Sequence, residues 1–147
     1  MTVLGLTDHD TVAGCEATAR ACAANGIAFI PGIEITAVAD ERDVHVLAYF
    51  FDLSSASLRA FLGEQRQRRL ERVRQILERL SDCGMPLDAD AILAPGLNDS
   101  GRAVGRPWIA RALVEAGHVA TVNEAFDRWI GRGCPAFVPR TGASPTE

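Results

Sequence analysis

With 147 residues, 48% of them hydrophobic, the chain has the size and apolar content of one ordinary folded domain, which excludes disorder as a description of the whole. A formal net charge of -4 gives no general attraction to nucleic acid or anionic lipid, although a local basic patch could still hold phosphate. No stretch approaches the roughly 20 consecutive apolar residues of a membrane span, and Cys15, Cys22, Cys83 and Cys134 form no close metal-ligand set, so they read as free thiols of a cytoplasmic protein.

In chain order, "VLGLT" (residues 3–7) is a short apolar run that turns abruptly polar, as in a buried strand delivering Asp8, His9 and Asp10 at its end. A helix is expected from Thr11, a plausible cap, to Ala24, with Ala13, Ala17, Ala21 and Ala24 as a face of small residues turned to a sheet. Asn25 and Gly26 stop it. The run "IAFIPGIEIT" is again extended, and Pro31 with Gly32 is expected to bend or end a central strand. After the polar "ADERD", "VHVLAYF" reads as a third strand with His45 near its start, paired as a hairpin because the connection is too short for a helical crossover.

From about Ser55 to Cys83 the pattern becomes helical, with Val73, Ile76, Leu77 and Leu80 at spacings of three and four. Gly84, Met85 and Pro86 interrupt it, "LDADAILA" suggests a short helix, and Pro95 to Arg102 reads as a loop. Helices follow in "PWIARALVEAG", with Pro107 at a favourable N-terminal position, and in "TVNEAFDRWIG". The tail "GRGCPAFVPRTGASPTE" shows no closing element. An α/β start with two or three strands is too little to cover a parallel sheet or barrel on both faces. The expectation is therefore a chain cut at both ends.

Three residues are the sharp chemical candidates. His9, Glu34 and His45 each sit at the polar edge of an apolar segment, and their types bind divalent metals. Their separations of 25 and 11 residues match no compact local motif, so a joint site competes with the plainer reading of hydrogen-bonded structural residues. Asp8 and Asp10 could orient the His9 imidazole, or Asp10 could simply belong to a helix start.

The stretches "LGLTDHDTVAG", "GIEIT" and "VHVLAYF", in this order, resemble successive motifs of the PHP (polymerase and histidinol phosphatase) superfamily of metal-dependent phosphoesterases. "GRPWIARALVEAG" and "EAFDRWIGRGCPAFVPR" resemble the helical insertion of its nucleoside 3',5'-bisphosphate phosphatase-like branch, to which trimming of short RNA is also attributed. The resemblance implies an α/β fold, a partial distorted (β/α)7 barrel. It divides the chain into 1–54 (partial barrel), 55–135 (helical insertion) and 136–147 (return to the barrel). It further implies up to three divalent ions in the intact parent, manganese foremost, with zinc, magnesium or iron as alternatives. His9 would serve one metal, Glu34 would bridge two and His45 would ligate one, with Asp8 and Asp10 as acidic neighbours in a catalytic set.

The implied substrate is a nucleoside 3',5'-bisphosphate or a short oligonucleotide end. The family's opening histidine motif and its two later motifs have no counterpart, so the chain is expected to be weakly active or inactive alone. A non-catalytic nucleotide- or metal-binding fragment and a histidinol phosphatase-like enzyme are the alternatives.

Within the helical part, Arg106 lies in "GRP" just before a helix start and is the better phosphate candidate, with Arg102 beside it. Trp108 stands where close relatives usually carry histidine; a plain packed aromatic competes with a base-stacking role. The run of Arg59, Arg66, Arg68, Arg69, Arg72 and Arg74 reads either as a solvated helix face or as a phosphate-attracting one. Oligomeric state has no signal in the sequence.

Overall fold

A computed structural model of the chain describes residues 1–40, 42–99 and 101–145. The elements are β1 (Val3–Leu6), α1 (Cys15–Ala24), β2 (Ala28–Ala39), β3 (Arg42–Tyr49), α2 (Ala56–Asp82), α3 (Ala89–Asn98), α4 (Arg106–Glu115) and α5 (Val122–Ala125), the last running into a π-helical turn, Phe126–Ile130. They divide into two compact units. One holds Met1–Arg66 with the described part of Gly142–Glu147, and the other holds Gln67–Thr141, the boundary falling within α2.

The first unit contains a three-stranded open sheet in the order β1-β2-β3. The fold is thus α/β with a small sheet and several helices, and no closed seven-stranded barrel is present among the described residues. β2 changes partner along its length. Its first residues pair parallel to β1, from Val3 opposite Ala28 to Leu6 opposite Pro31, and from Gly32 to Ala39 it pairs antiparallel to β3. The hairpin expected from the short connection is therefore present.

Of the expectation that Pro31 and Gly32 bend or end β2, the ending is not met: the strand runs from Ala28 to Ala39, and it is its partner that changes between these two residues. The Pro31 carbonyl accepts from Phe50 N–H at 3.0 Å, and in a strand the nitrogen and carbonyl of one residue point to the same side. The missing N–H therefore lies where β3 is just leaving the sheet, a place where proline costs no ladder bond. Gly32 serves a different need: a Cβ there would meet the Leu6 carbonyl oxygen at 2.6 Å, Thr7 Cγ2 at 2.8 Å and Tyr49 Cδ1 at 3.0 Å. Gly32→Ala is expected to cost about 1–3 kcal/mol by forcing β1 and β2 apart; a urea midpoint equal to that of the wild type would contradict this close approach.

α1 corrects two expectations. It starts at Cys15, capped by Gly14 without a side-chain bond, while Thr11 Oγ1 accepts from Ala13 N–H at 3.2 Å and caps no helix. The alanines Ala13, Ala17, Ala21 and Ala24 are exposed, whereas Cys15 and Cys22, seven residues apart, are the buried pair. Both faces have helical spacing, and the larger thiol side chains bury more apolar area than methyl groups. All four cysteines are free.

The second unit is helical around one core. Leu70, Val73, Ile76, Leu77 and Leu80 form the buried stripe of α2, joined by Ile92 and Leu93 of α3, Ile109 and Leu113 of α4, and Ile130. α3 runs on through Pro95 to Asn98, where a loop was expected. Packing overrides the proline's local penalty. Gly96 is buried so closely that a Cβ would meet Val104 Cγ2 at 2.7 Å and Leu70 Cδ2 at 3.2 Å, which holds this turn of helix in place. Asp88 caps α3 by accepting from Ala91 N–H at 3.0 Å, and Thr121 caps α5 by accepting from Glu124 N–H at 3.1 Å. Among the described residues no helix is long and apolar enough to cross a membrane.

Candidate metal centre

Strand alternation decides which side chains can meet. On β2 it sends Glu34 and Thr36 to one face and Ile33, Ile35 and Ala37 to the other. Ile35 and Ala37 of the second face line an apolar cavity of about 390 Å³ with Val46, Leu58 and Phe61. On the first face, register places Leu47 opposite Glu34 and His45 opposite Thr36, which leaves His45 on the diagonal from Glu34. His9 arrives from the other side: beyond the end of β1 it makes a parallel bridge with Glu34.

Three segments thus bring two imidazoles and a carboxylate together. Nε2 of His9 lies 3.4 Å and Nδ1 of His45 2.5 Å from the same oxygen of Glu34. The two rings stand edge to face, 4.9 Å between centroids. One ligand atom from each residue lies within 4.8 Å of the others, and among the described residues this is the only such group of three. Both histidine side chains are about half exposed and Glu34 is 23% exposed, so the site is open on the solvent side while the strand anchors the carboxylate. The donor set of two nitrogens and one hard oxygen fits a divalent cation such as manganese, zinc or iron(II). The carboxylate only accepts, so the contact from His45 Nδ1 is an N–H hydrogen bond, and a cation bound there would take that proton's place.

The two aspartates that flank His9 go to different places. Oδ1 of Asp10 accepts from the Thr36 N–H at 2.7 Å, and Asp10 itself adopts a left-handed backbone, φ 53°. Asp8 turns its carboxylate toward the start of α1, where a Cβ on Gly14 would meet its Oδ2 at 2.6 Å. The nearby Cys15 thiol is pushed up, first by burial, against the lowering effect of its bond to the Gly32 carbonyl, with the Asp8 charge raising it further. Sequence reasoning missed Thr36. Its signal was available, since a residue two positions after a candidate ligand in a strand shares its face.

The remaining candidates lie in the second unit. Arg106 spreads its guanidinium over Phe126 at 5.7 Å and Phe137 at 5.9 Å from the ring centroids. Trp108 is half-buried against the helical core. Arg102 is exposed, 3.7 Å from Asp99. In the basic run of α2, Arg72 Nε donates to the Val138 carbonyl at 2.9 Å, and beyond the run Arg79 donates to the Phe137 carbonyl. Burial, and then the positive charge of Arg140, lowers the Arg69 guanidinium to about 10. Part of this run therefore holds the segment after the π-helical turn, a structural role that neither sequence reading included.

No protein-family model matches the chain. It is 36% identical over 138 residues to the 5'-3' exoribonuclease Rnm of Salmonella typhimurium, covering 92% of this chain and 46% of that protein. It is 32% identical over 142 residues to a 3',5'-nucleoside bisphosphate phosphatase of Chromobacterium violaceum, covering 97% of this chain and 49% of that protein. The crystal structure of a Bifidobacterium adolescentis protein assigned as a metal-dependent phosphoesterase superposes with a TM-score of 0.79 at 33% identity, covering 98% of this chain and 50% of that one. The chain spans about half the length of the curated relatives it matches.

Proposed function

The chain is related to the PHP-like metal-dependent phosphoesterases and to the nucleoside bisphosphate phosphatase-like proteins among them, and from this relationship we propose that it carries part of a divalent-metal centre for phosphate-ester hydrolysis. The observation that carries the proposal is the convergence of His9, Glu34 and His45 from three segments within 4.8 Å. His9 Nε2, the Glu34 carboxylate and His45 Nδ1 would hold the ion, with manganese as the proposed metal. A bound divalent cation supplies Lewis-acid polarisation of a phosphoryl oxygen and activation of water.

The chain's own residues have three tasks in this reading. Glu34 brings the negative charge that offsets the cation, and its anchored backbone fixes where that charge sits. The half-exposed rings of His9 and His45 leave an open side from which a phosphate end could approach. Asp8 and Asp10 shape the loop that carries His9. We further propose a nucleoside 3',5'-bisphosphate or a short oligonucleotide end as substrate, and the (β/α)7 barrel as the architecture of the whole protein. Arg102, Arg106 and Trp108 are the proposed contacts of the helical unit with phosphate or base, and a cytoplasmic location suits such substrates.

The test is calorimetric titration of the purified chain with Mn2+, followed by phosphate release from a nucleoside 3',5'-bisphosphate and from histidinol phosphate. Mn2+ uptake with weak release from the nucleotide, as part of a metal centre would give, supports the reading. Release from histidinol phosphate alone would move the substrate assignment, and uptake without any turnover would reduce the chain to a metal- or nucleotide-binding module. Absence of uptake would overturn the metal centre itself.

A further inference from the structure

A parallel ladder has a fixed order of bonds: an N–H of one strand, then a carbonyl of the same residue, then the N–H two residues on. Beyond β1 the chain keeps this order for two steps, with Glu34 N–H donating to the Asp8 carbonyl at 3.1 Å and Asp10 N–H donating to the Glu34 carbonyl at 2.8 Å. His9 is the residue bracketed between them, which is why it stands beside Glu34. The third bond of such a ladder would run from Thr36 N–H to the backbone carbonyl of Asp10. Here the acceptor is the Asp10 side chain, Oδ1, at 2.7 Å.

We propose that Asp10 is a positioning residue whose carboxylate replaces its own main-chain carbonyl in the ladder. Its left-handed φ of 53° turns the chain out of the sheet toward α1, and the side chain keeps the ladder closed while the backbone leaves. The substitution matters because Thr36 is only 5% exposed, so its N–H has little access to water, and an N–H without an acceptor there would open the sheet next to Glu34. The effect reaches the metal ligands through geometry. Asp10 grips β2 at two points, its N–H on the Glu34 carbonyl and its Oδ1 on the Thr36 N–H, and with the bond from Glu34 N–H to the Asp8 carbonyl this grip fixes the His9 ring over the carboxylate.

Two properties are combined in one residue, and substitutions separate them. Asn keeps an acceptor oxygen and tolerates the left-handed region, Gly keeps the backbone freedom without the acceptor, and Ala keeps neither. The metal readout rests on the metal-centre reading above, and amide exchange at Thr36 in metal-free protein does not. The expected results are Thr36 protection and Mn2+ affinity within about threefold of wild type for Asp10→Asn. For Asp10→Gly and Asp10→Ala, we expect loss of Thr36 protection and Mn2+ binding weakened by about 10–100-fold, the range seen when a group supporting a metal ligand is removed.

Wild-type Thr36 protection in Asp10→Gly would overturn the proposal, as would an Asn variant that behaves like Ala. Failure of the wild-type chain to take up Mn2+ would defeat the metal centre, and Thr36 exchange would still decide the role of Asp10. Should Asp10→Ala fail to fold, the Asn and Gly pair carries the comparison.

Discussion

Replacing Glu34 with glutamine is expected to abolish Mn2+ uptake, a loss larger than the ~10–100-fold that follows removal of a group merely supporting a ligand. Glu34 is the common partner of both rings, and His9 Nε2 and His45 Nδ1 face the same carboxylate oxygen. Glutamine has nearly the same shape, so the strand and its register with β3 should survive. What disappears is the negative charge, and a neutral amide is a poor ligand for a divalent ion held by only two imidazoles besides. Titration calorimetry with Mn2+, with circular dichroism as the control for folding, decides the matter. Uptake by Glu34→Gln within a few-fold of the wild type would mean that the ion sits elsewhere. His45→Ala, which leaves one imidazole and the carboxylate, should weaken uptake less completely.

The second large effect belongs to stability. Ile109 of α4 is 0% exposed in the helical core, beside Leu113 and Ile130, which are equally buried. Ile109→Ala removes three carbon atoms from a site where the neighbours are held by their own helices and can close the gap only in part. A loss of about 2–5 kcal/mol is expected, read as a lower urea midpoint at unchanged slope. Val122→Ala is the comparison: Val122 is 38% exposed, and its loss should be small, within about 0.5–1 kcal/mol. Equal shifts for the two variants would show that Ile109 is not packed as the structure has it.

The elements that sequence reasoning located best are those whose burial follows a simple period. α2 is one, because its buried residues from Val73 to Leu80 recur at spacings of three and four. The β2–β3 hairpin is another, because the connection left no room for a crossover. The errors arose where neighbours outvoted local preference. Pro31 with Gly32 was expected to bend or end its strand, yet β2 runs on to Ala39, the proline nitrogen falling where β3 departs. Pro95 was read as the start of a loop, yet Gly96 packs so closely under Val104 and Leu70 that the helix continues. In α1 the alanine face was a true helical pattern, but a face of thiols competed with it and was buried.

The site shows the same division. His9, Glu34 and His45 could be picked out because each ends or begins an apolar run with a metal-binding side chain. Their meeting could not be derived from spacing, since it depends on two registers at once: His9 parallel to Glu34, and His45 antiparallel to Thr36. The particular placements of Asp8 and Asp10 depended on the backbone turn at Asp10, which no composition or period reveals.

The change of partner along β2 has a consequence in time. Glu34 and His45 belong to a hairpin and are 11 residues apart, and hairpins close in about 1–10 μs. His9 is 25 residues from Glu34, with α1 in the intervening chain, a more distant closure of the kind that slows folding. The three candidate ligands are therefore expected to assemble in two instalments, a carboxylate and one imidazole first and the second imidazole later. An ion present during refolding would meet a two-pronged claw before it met the finished site, and could act as the template on which the last segment is laid down.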